Sequence, residues 1–239
     1  MTADTDVATK PLPRRVLLDE LRAQYEAAAA ASHQDMPVED FESIDARLRK
    51  SFRWLEQAVT YLNTLKPAID HTYDLGHGFV FAGPRFSHGS VALRERRLRG
   101  FPVVEEIGVY YDIAAARPLT IEVPAGWLSF AQRTLDAFGL QYTSRSLGAA
   151  DGERVFSVAP VIPARISFTA DYQAGVVTAT LVNVDRLDRV SLAFQSGAIV
   201  EPALEDLVRL MLGRDSAFLH RAPVAWKRDA VACAGASAA

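Results

Sequence analysis

Cysteine is all but absent from this chain. The one residue of that type, Cys233, stands within the last seven positions and has no second thiol to join. An internal disulfide is excluded, which fits a reducing compartment. Long apolar runs are missing too. No stretch of about 18 apolar residues occurs, as a membrane-crossing helix would need. The opening Met1-Thr2-Ala3-Asp4-Thr5-Asp6 is acidic where a secretory signal would be basic. A cytoplasmic location without membrane contact is the expectation. Lysine is scarce: of 26 basic residues only Lys10, Lys50, Lys66 and Lys227 are lysines. With so much arginine and alanine, this points to a GC-rich, bacterial-type coding sequence, a trait of codons and not of function. Charge of either sign is scarcely in excess, at −3 overall. No global field therefore draws the chain toward nucleic acid or acidic lipid.

What is present suffices for an ordinary core. At 239 residues, 49% of them hydrophobic, the chain can bury roughly 70% of the surface its unfolded form exposes. Residues 1–13 are polar and proline-punctuated, and read as a disordered tail. From Val16 the spacing of Leu17, Leu21, Tyr25 and Ala28 predicts an amphipathic helix. A second helix opens at Pro37 and carries Phe41, Ile44, Leu48, Phe52, Leu55, Val59, Leu62 and Leu65 at three- and four-residue steps. Lys66-Pro67 ends it, since the residue before proline is pushed out of helical geometry. The pair predicts an αα-hairpin over 14–66 with unequal arms. The longer arm spans about 43 Å at the helical rise. An apolar overhang of that kind needs a second surface, so a homodimer through residues 41–65 is one expectation.

From Gly78 the apolar period changes to two. Val91–Leu98 and Val103–Ile113 flank a turn at Arg99-Gly100, and Pro118–Val123 adds a short strand. Pro124 opens a helix with Trp127, Leu128, Ala131, Leu135 and Phe138, closed by Gly139. Strands follow at Leu140–Ser146 and Val155–Val158. Residues 164–196 then form a three-stranded meander. Aligning its turns sets Phe168 beside Ala179 and Phe194, and Ile166 beside Leu181 and Leu192, on one apolar face. A last helix lies between Pro202 and Gly213, and 217–239 read as a second disordered tail. The fold class is α+β: an N-terminal αα-hairpin, then over 75–216 a mainly antiparallel, curved sheet with two helices packed on one face. Two successive strand-strand-strand-helix stretches raise the prospect of an internal duplication.

Assembled chemistry is hard to find. Asp70, His71, Asp74, His77 and His88 have metal-binding side chains, but the histidines are six and eleven residues apart and follow no zinc template. The bland account, Asp and His capping turns in a polar loop, is preferred. There is no Gly-x-Ser-x-Gly elbow, and Gly76-His77-Gly78 lacks the spacing of a phosphate-binding loop. No catalytic residue, metal or cofactor is expected. Arg94, Arg96, Arg97 and Arg99 form the most basic segment, a candidate phosphate or acidic-partner patch. The hairpin about Gly100 would, however, bring Glu105 and Glu106 across from it, and cross-strand charge pairing would explain it without a ligand. Nucleic acid is not the expected partner. Aromatic residues Tyr110, Tyr111, Trp127, Phe130 and Phe138 serve either as core or as a pocket lining.

One surface stands out. The register that makes one meander face apolar gathers Ser167, Thr169, Thr178, Thr180, Ser191 and Gln195 on the other, with Arg165, Asp171 and Arg189 at its rim. Solvated sheet faces commonly carry long charged side chains at their centre. Small hydroxyls within a charged rim have the anatomy of a docking site. The leading expectation is thus a non-enzymatic accessory or adaptor protein acting through protein–protein contact. Two alternatives stay open. One is a small-molecule or lipid carrier in which a curved sheet grips a helix, marked by a cavity of about 300 Å³ or more lined by Tyr111, Trp127 and Phe138. The other is an enzyme whose residues are scattered along the chain.

Overall fold

A computed structural model of the chain describes residues 41–76, 78–147 and 152–222, together with the backbone of 224–229. The shorter arm of the expected hairpin, the 1–13 tail, His77 and Cys233 lie outside the described residues. Helix α1 covers Phe41–Leu65, and its buried residues are Ile44, Leu48, Ser51, Leu55, Val59 and Leu62. That is the expected stripe, rotated slightly: Leu65 is largely exposed and Phe41 and Phe52 are half-buried. Lys66, barred from helical geometry by Pro67, takes φ 44° as its N–H bonds back to the Leu62 carbonyl.

The main sheet is antiparallel. Its strands β1 (Arg85–Leu98) and β2 (Phe101–Ala114) form a long hairpin. The two-residue turn between them has positive φ at both Arg99 (50°) and Gly100 (88°), the handedness that matches strand twist. After β2 the chain leaves to build a second sheet from β3 (Leu119–Val123), β4 (Tyr142–Ser146) and β5 (Arg154–Val158), ordered β3-β5-β4. Pro118 and Pro160 bracket this excursion, where a residue without an N–H cannot extend a ladder. Strands β6 (Val161–Asp171), β7 (Val176–Val182) and β8 (Arg189–Gln195) form the meander, and β9 (Val224–Asp229) closes the far edge. The order across the main sheet is β1-β2-β6-β7-β8-β9. Helix α2 (Leu128–Ala137) runs within the excursion, and α3 (Glu201–Met211) follows β8.

Several expectations need correction. The strands divide into two sheets instead of one curved sheet. The two strand-strand-strand-helix stretches are not equivalent, since β1 and β2 join the main sheet and β3 does not. α2 lies beside the small sheet, while α1 and α3 share the main core. The α1 stripe needs no second subunit: α1 packs on β1 and β2 and also touches α3. The 217–239 tail is also overstated. Phe218 is wholly buried, 5.3 Å from the Phe194 ring. Arg221 is ion-paired with Asp206 of α3, and Val224–Asp229 pairs with β8. An aromatic side chain that fills the space beside the end of β8 holds the chain down.

Register is right for β6 and β7, with Phe168 opposite Ala179 and Ile166 opposite Leu181. For β8 it is displaced by two residues: Ala179 faces Leu192, Leu181 faces Val190 and Val177 faces Phe194. In place of a tight turn, residues 183–188 form a wider loop, anchored by buried Val184 and Leu187 and by left-handed Asn183 at φ 54°. A shift of two keeps the same face inward.

α1 is fastened to the sheet by polar contacts at both ends. Near its start, Asp45 accepts the Val104 N–H at 2.7 Å, and Arg49 joins Asp45 and Glu95, each at 2.7 Å. Tyr172 donates to the Val104 carbonyl at 2.7 Å. Near its end, Asn63 accepts the Gly89 N–H (2.7 Å) and donates to the Gly89 carbonyl (2.9 Å). Gly89 is required there: a Cβ would stand 2.8 Å from the Phe86 ring and 3.2 Å from both Tyr111 and Val59.

Candidate functional sites

The outward face of the main sheet gathers the expected hydroxyl residues in cross-strand rows. Antiparallel alternation gives one row as Ala92, Gly108, Ser167, Thr180, Ser191, and the next as Arg94, Glu106, Thr169, Thr178, Ala193. Thr169 and Thr178 are exposed, Thr180 and Ser191 half-buried, and Ser167 at the centre is 8% exposed. The two-residue shift of β8 moves Gln195 opposite Val176, at the margin of the patch, and brings Ser191 into its middle.

The structure adds a border that the sequence did not reveal. Tyr110 lies over Gly108, where a Cβ would meet the ring at 2.6 Å, and Arg165 stacks on Tyr110 with its guanidinium 5.2 Å from the ring centre. Glu106 then binds Arg165 at 2.6 Å and Arg94 at 3.0 Å. The signal was the pairing of Gly108 with Tyr110 two residues on, which share a face of one strand. The row of small side chains thus crosses five of the six strands, next to the row Tyr110, Arg165, Val182, Arg189, and on β9 the position opposite Ser191 is Lys227.

The basic segment is only partly explained by charge pairing. Arg94 does bind Glu105 and Glu106, both at 3.0 Å. A bulge between Arg94 and Glu95 then shifts the register, so Arg96 faces Val103 and Arg97 faces Pro102. Arg96 sits 5.8 Å over the Tyr172 ring. Glu95 is engaged by Arg49. Arg97 and Arg99 have no ion pair among the described residues, beside a Phe101 that is 59% exposed.

A third feature is an apolar groove of about 300 Å³ between β3, α2 and the turn at Leu75–Phe79. Trp127 and Phe130 stand edge to face at 5.7 Å along it, and Phe156 forms its floor. Tyr111 and Phe138, which under the carrier alternative would share a pocket with Trp127, are core residues. Tyr111 stacks on Phe86 at 5.4 Å, and burial pushes its hydroxyl pKa well up. That hydroxyl has no hydrogen-bond partner among the described residues.

The polar loop behaves as a turn. Asp74 accepts the Gly76 N–H at 2.7 Å, and His71 donates to the Leu210 carbonyl. Ser87 lies at the bulge between Phe86 and His88, and His88 and Ser90 are both exposed on β1. Among the described residues no three His, Cys, Asp or Glu side chains converge as metal ligands, and no helix is long and apolar enough to cross a membrane. No protein-family model, curated protein or solved structure matches the chain.

Proposed function

We propose that the chain is an accessory or adaptor protein that acts through protein–protein contact, with the outward face of the main sheet as its docking surface. The observation that carries this is the uncharged row Ala92-Gly108-Ser167-Thr180-Ser191. It crosses five of the six strands without a long side chain of its own, and the Tyr110 ring, stacked on by Arg165, lies over its Gly108. At Thr180 and Ser191 the small side chains let a partner backbone approach closely. Tyr and Arg are residue types enriched where interface energy concentrates. With the α1 stripe covered by its own sheet, the homodimer is not part of this proposal.

The experiment is the double substitution Thr178→Arg with Thr180→Glu. Both side chains project from an outer face that the inner core does not use. The expected result is unchanged folding with loss of a partner that co-purifies with the wild type. A variant with the same stability and the same partners would make this face plain solvated sheet.

A further inference from the structure

The groove beside Trp127 is concave, largely apolar and held open by its own walls. One wall is the turn from Leu75 to Phe79, closed by paired backbone hydrogen bonds (Leu75 N–H to the Phe79 carbonyl, Phe79 N–H to the Gly76 carbonyl, each 3.1 Å). Gly76 and Gly78 take φ 97° and 80°, and a Cβ at either would meet nothing within 4 Å; the backbone angle, not crowding, calls for glycine. The other wall is α2, entered through a single tight turn in which the Trp127 N–H bonds to the Pro124 carbonyl. Ile121 pairs with the wholly buried Phe156, yet is itself only half-buried, because the groove lies above it. Trp127 is 44% exposed at the rim.

The lining says what would fit. Among the described residues the one ionisable side chain along it is Glu122. Strand alternation turns that side chain away from the face that Ile121 and Val123 share. The Thr134 hydroxyl is already spent on the Phe130 carbonyl at 3.0 Å. A charged ligand would lose its hydration here and gain no counter-charge from the described residues. The volume, about 300 Å³, stands at the lower end of the range for small-molecule sites, about 300–1,000 Å³. The perpendicular Trp127–Phe130 pair offers a ring both a face and an edge. From these features we infer that the groove binds a neutral, ring-containing small molecule of fragment size. This does not depend on the docking role of the outer sheet face.

The test titrates the full-length protein with 1-naphthol and follows the Trp127 indole N–H by nitrogen-15 NMR, with the signal assigned by Trp127→Phe. Saturable binding at one site, indifferent to salt, is expected. The anion 1-naphthoate should bind at least about tenfold more weakly, for want of a counter-charge. Ala131→Trp fills the groove from a half-exposed helix position, where folding is retained, and should weaken 1-naphthol by about tenfold or more. Thr178→Arg on the outer face should leave the titration unchanged. The inference is overturned if 1-naphthol shows no saturable shift up to concentrations on the order of millimolar. Equal binding of 1-naphthoate, or an Ala131→Trp variant that binds like the wild type, would overturn it as well.

Discussion

Replacing Asn63 with alanine tests whether α1 belongs to the sheet of its own chain. The Asn63 amide makes two hydrogen bonds, one to each backbone group of Gly89 on β1, the terminal strand of the main sheet. Each such bond contributes about 0.5–1.5 kcal/mol net. Gly89 is buried, so water replaces the amide poorly, and the upper half of that range applies; the loss is about 2–3 kcal/mol. Alanine returns part of it through helix propensity, roughly 0.5 kcal/mol. The net destabilisation should be about 1.5–2.5 kcal/mol. For a domain of this size that lowers Tm by about 3–10 °C. Urea unfolding followed by circular dichroism should show a lower midpoint at an unchanged m-value. Asn63→Asp keeps the acceptor for the Gly89 N–H but turns a second oxygen toward the carbonyl, so it should lose at least half as much. A change below about 0.5 kcal/mol for Asn63→Ala would refute the contact, and with it the account of α1 as a helix covered by its own sheet.

Three further outcomes follow from the same geometry. Gly213→Ala should cost roughly 2–4 kcal/mol, since its left-handed backbone resists a side chain and a Cβ cannot be relieved by a rotamer change. At φ 73° that Cβ would stand 2.6 Å from the His71 nitrogen, and a variant as stable as the wild type by urea unfolding would contradict this. Arg94→Glu should destabilise by about 0.5–1 kcal/mol, because it opposes like charges across strands, whereas Arg96→Glu, opposite Val103, should cost less. The reverse order would show that the bulge after Arg94 is misplaced. Burial holds the hydroxyls of Tyr73, Tyr111 and Tyr172 above the usual tyrosine pKa. The unfolded chain releases these protons near pH 10 while the folded chain keeps them. Stability should therefore be level below that pH and fall above it, by up to about 1.4 kcal/mol per pH unit for each tyrosine. Urea midpoints that stay flat between about pH 8 and 11 would contradict it.

Legibility in the sequence tracked how local each determinant was. The α1 stripe, its stop at Lys66-Pro67, the Arg99-Gly100 turn and the Gly139 helix end depend on residues a few positions apart, and all were readable. The hydroxyl face was readable because β6 and β7 are joined by a short turn. The β8 register was not, since Val184 and Leu187 are loop residues whose burial depends on elements far away in sequence. The division into two sheets is also nonlocal: β2 pairs with β6 across the whole β3–β5 excursion. Phe218 looks like part of a tail in sequence because nothing nearby shows that Phe194 would meet it. On the outer sheet face, Tyr110 reads from sequence as core or pocket lining, whereas its ring lies on Gly108 beneath Arg165. In the groove, Trp127 and Phe130 stand out as aromatics and Ile121 lies just before them on β3, but Leu75 and Phe79 come from a turn far upstream in the chain.

The docking role of the outer sheet face is tested most directly by site-specific photocrosslinking in cells that make the protein naturally. A benzophenone side chain placed at Thr178 lies within the patch, and one at Glu205, exposed on α3, serves as the comparison. The account predicts one discrete protein adduct from Thr178, absent from Glu205 and lost when Thr180 is also changed to Glu. No adduct from Thr178, or the same adducts from both positions, would contradict it.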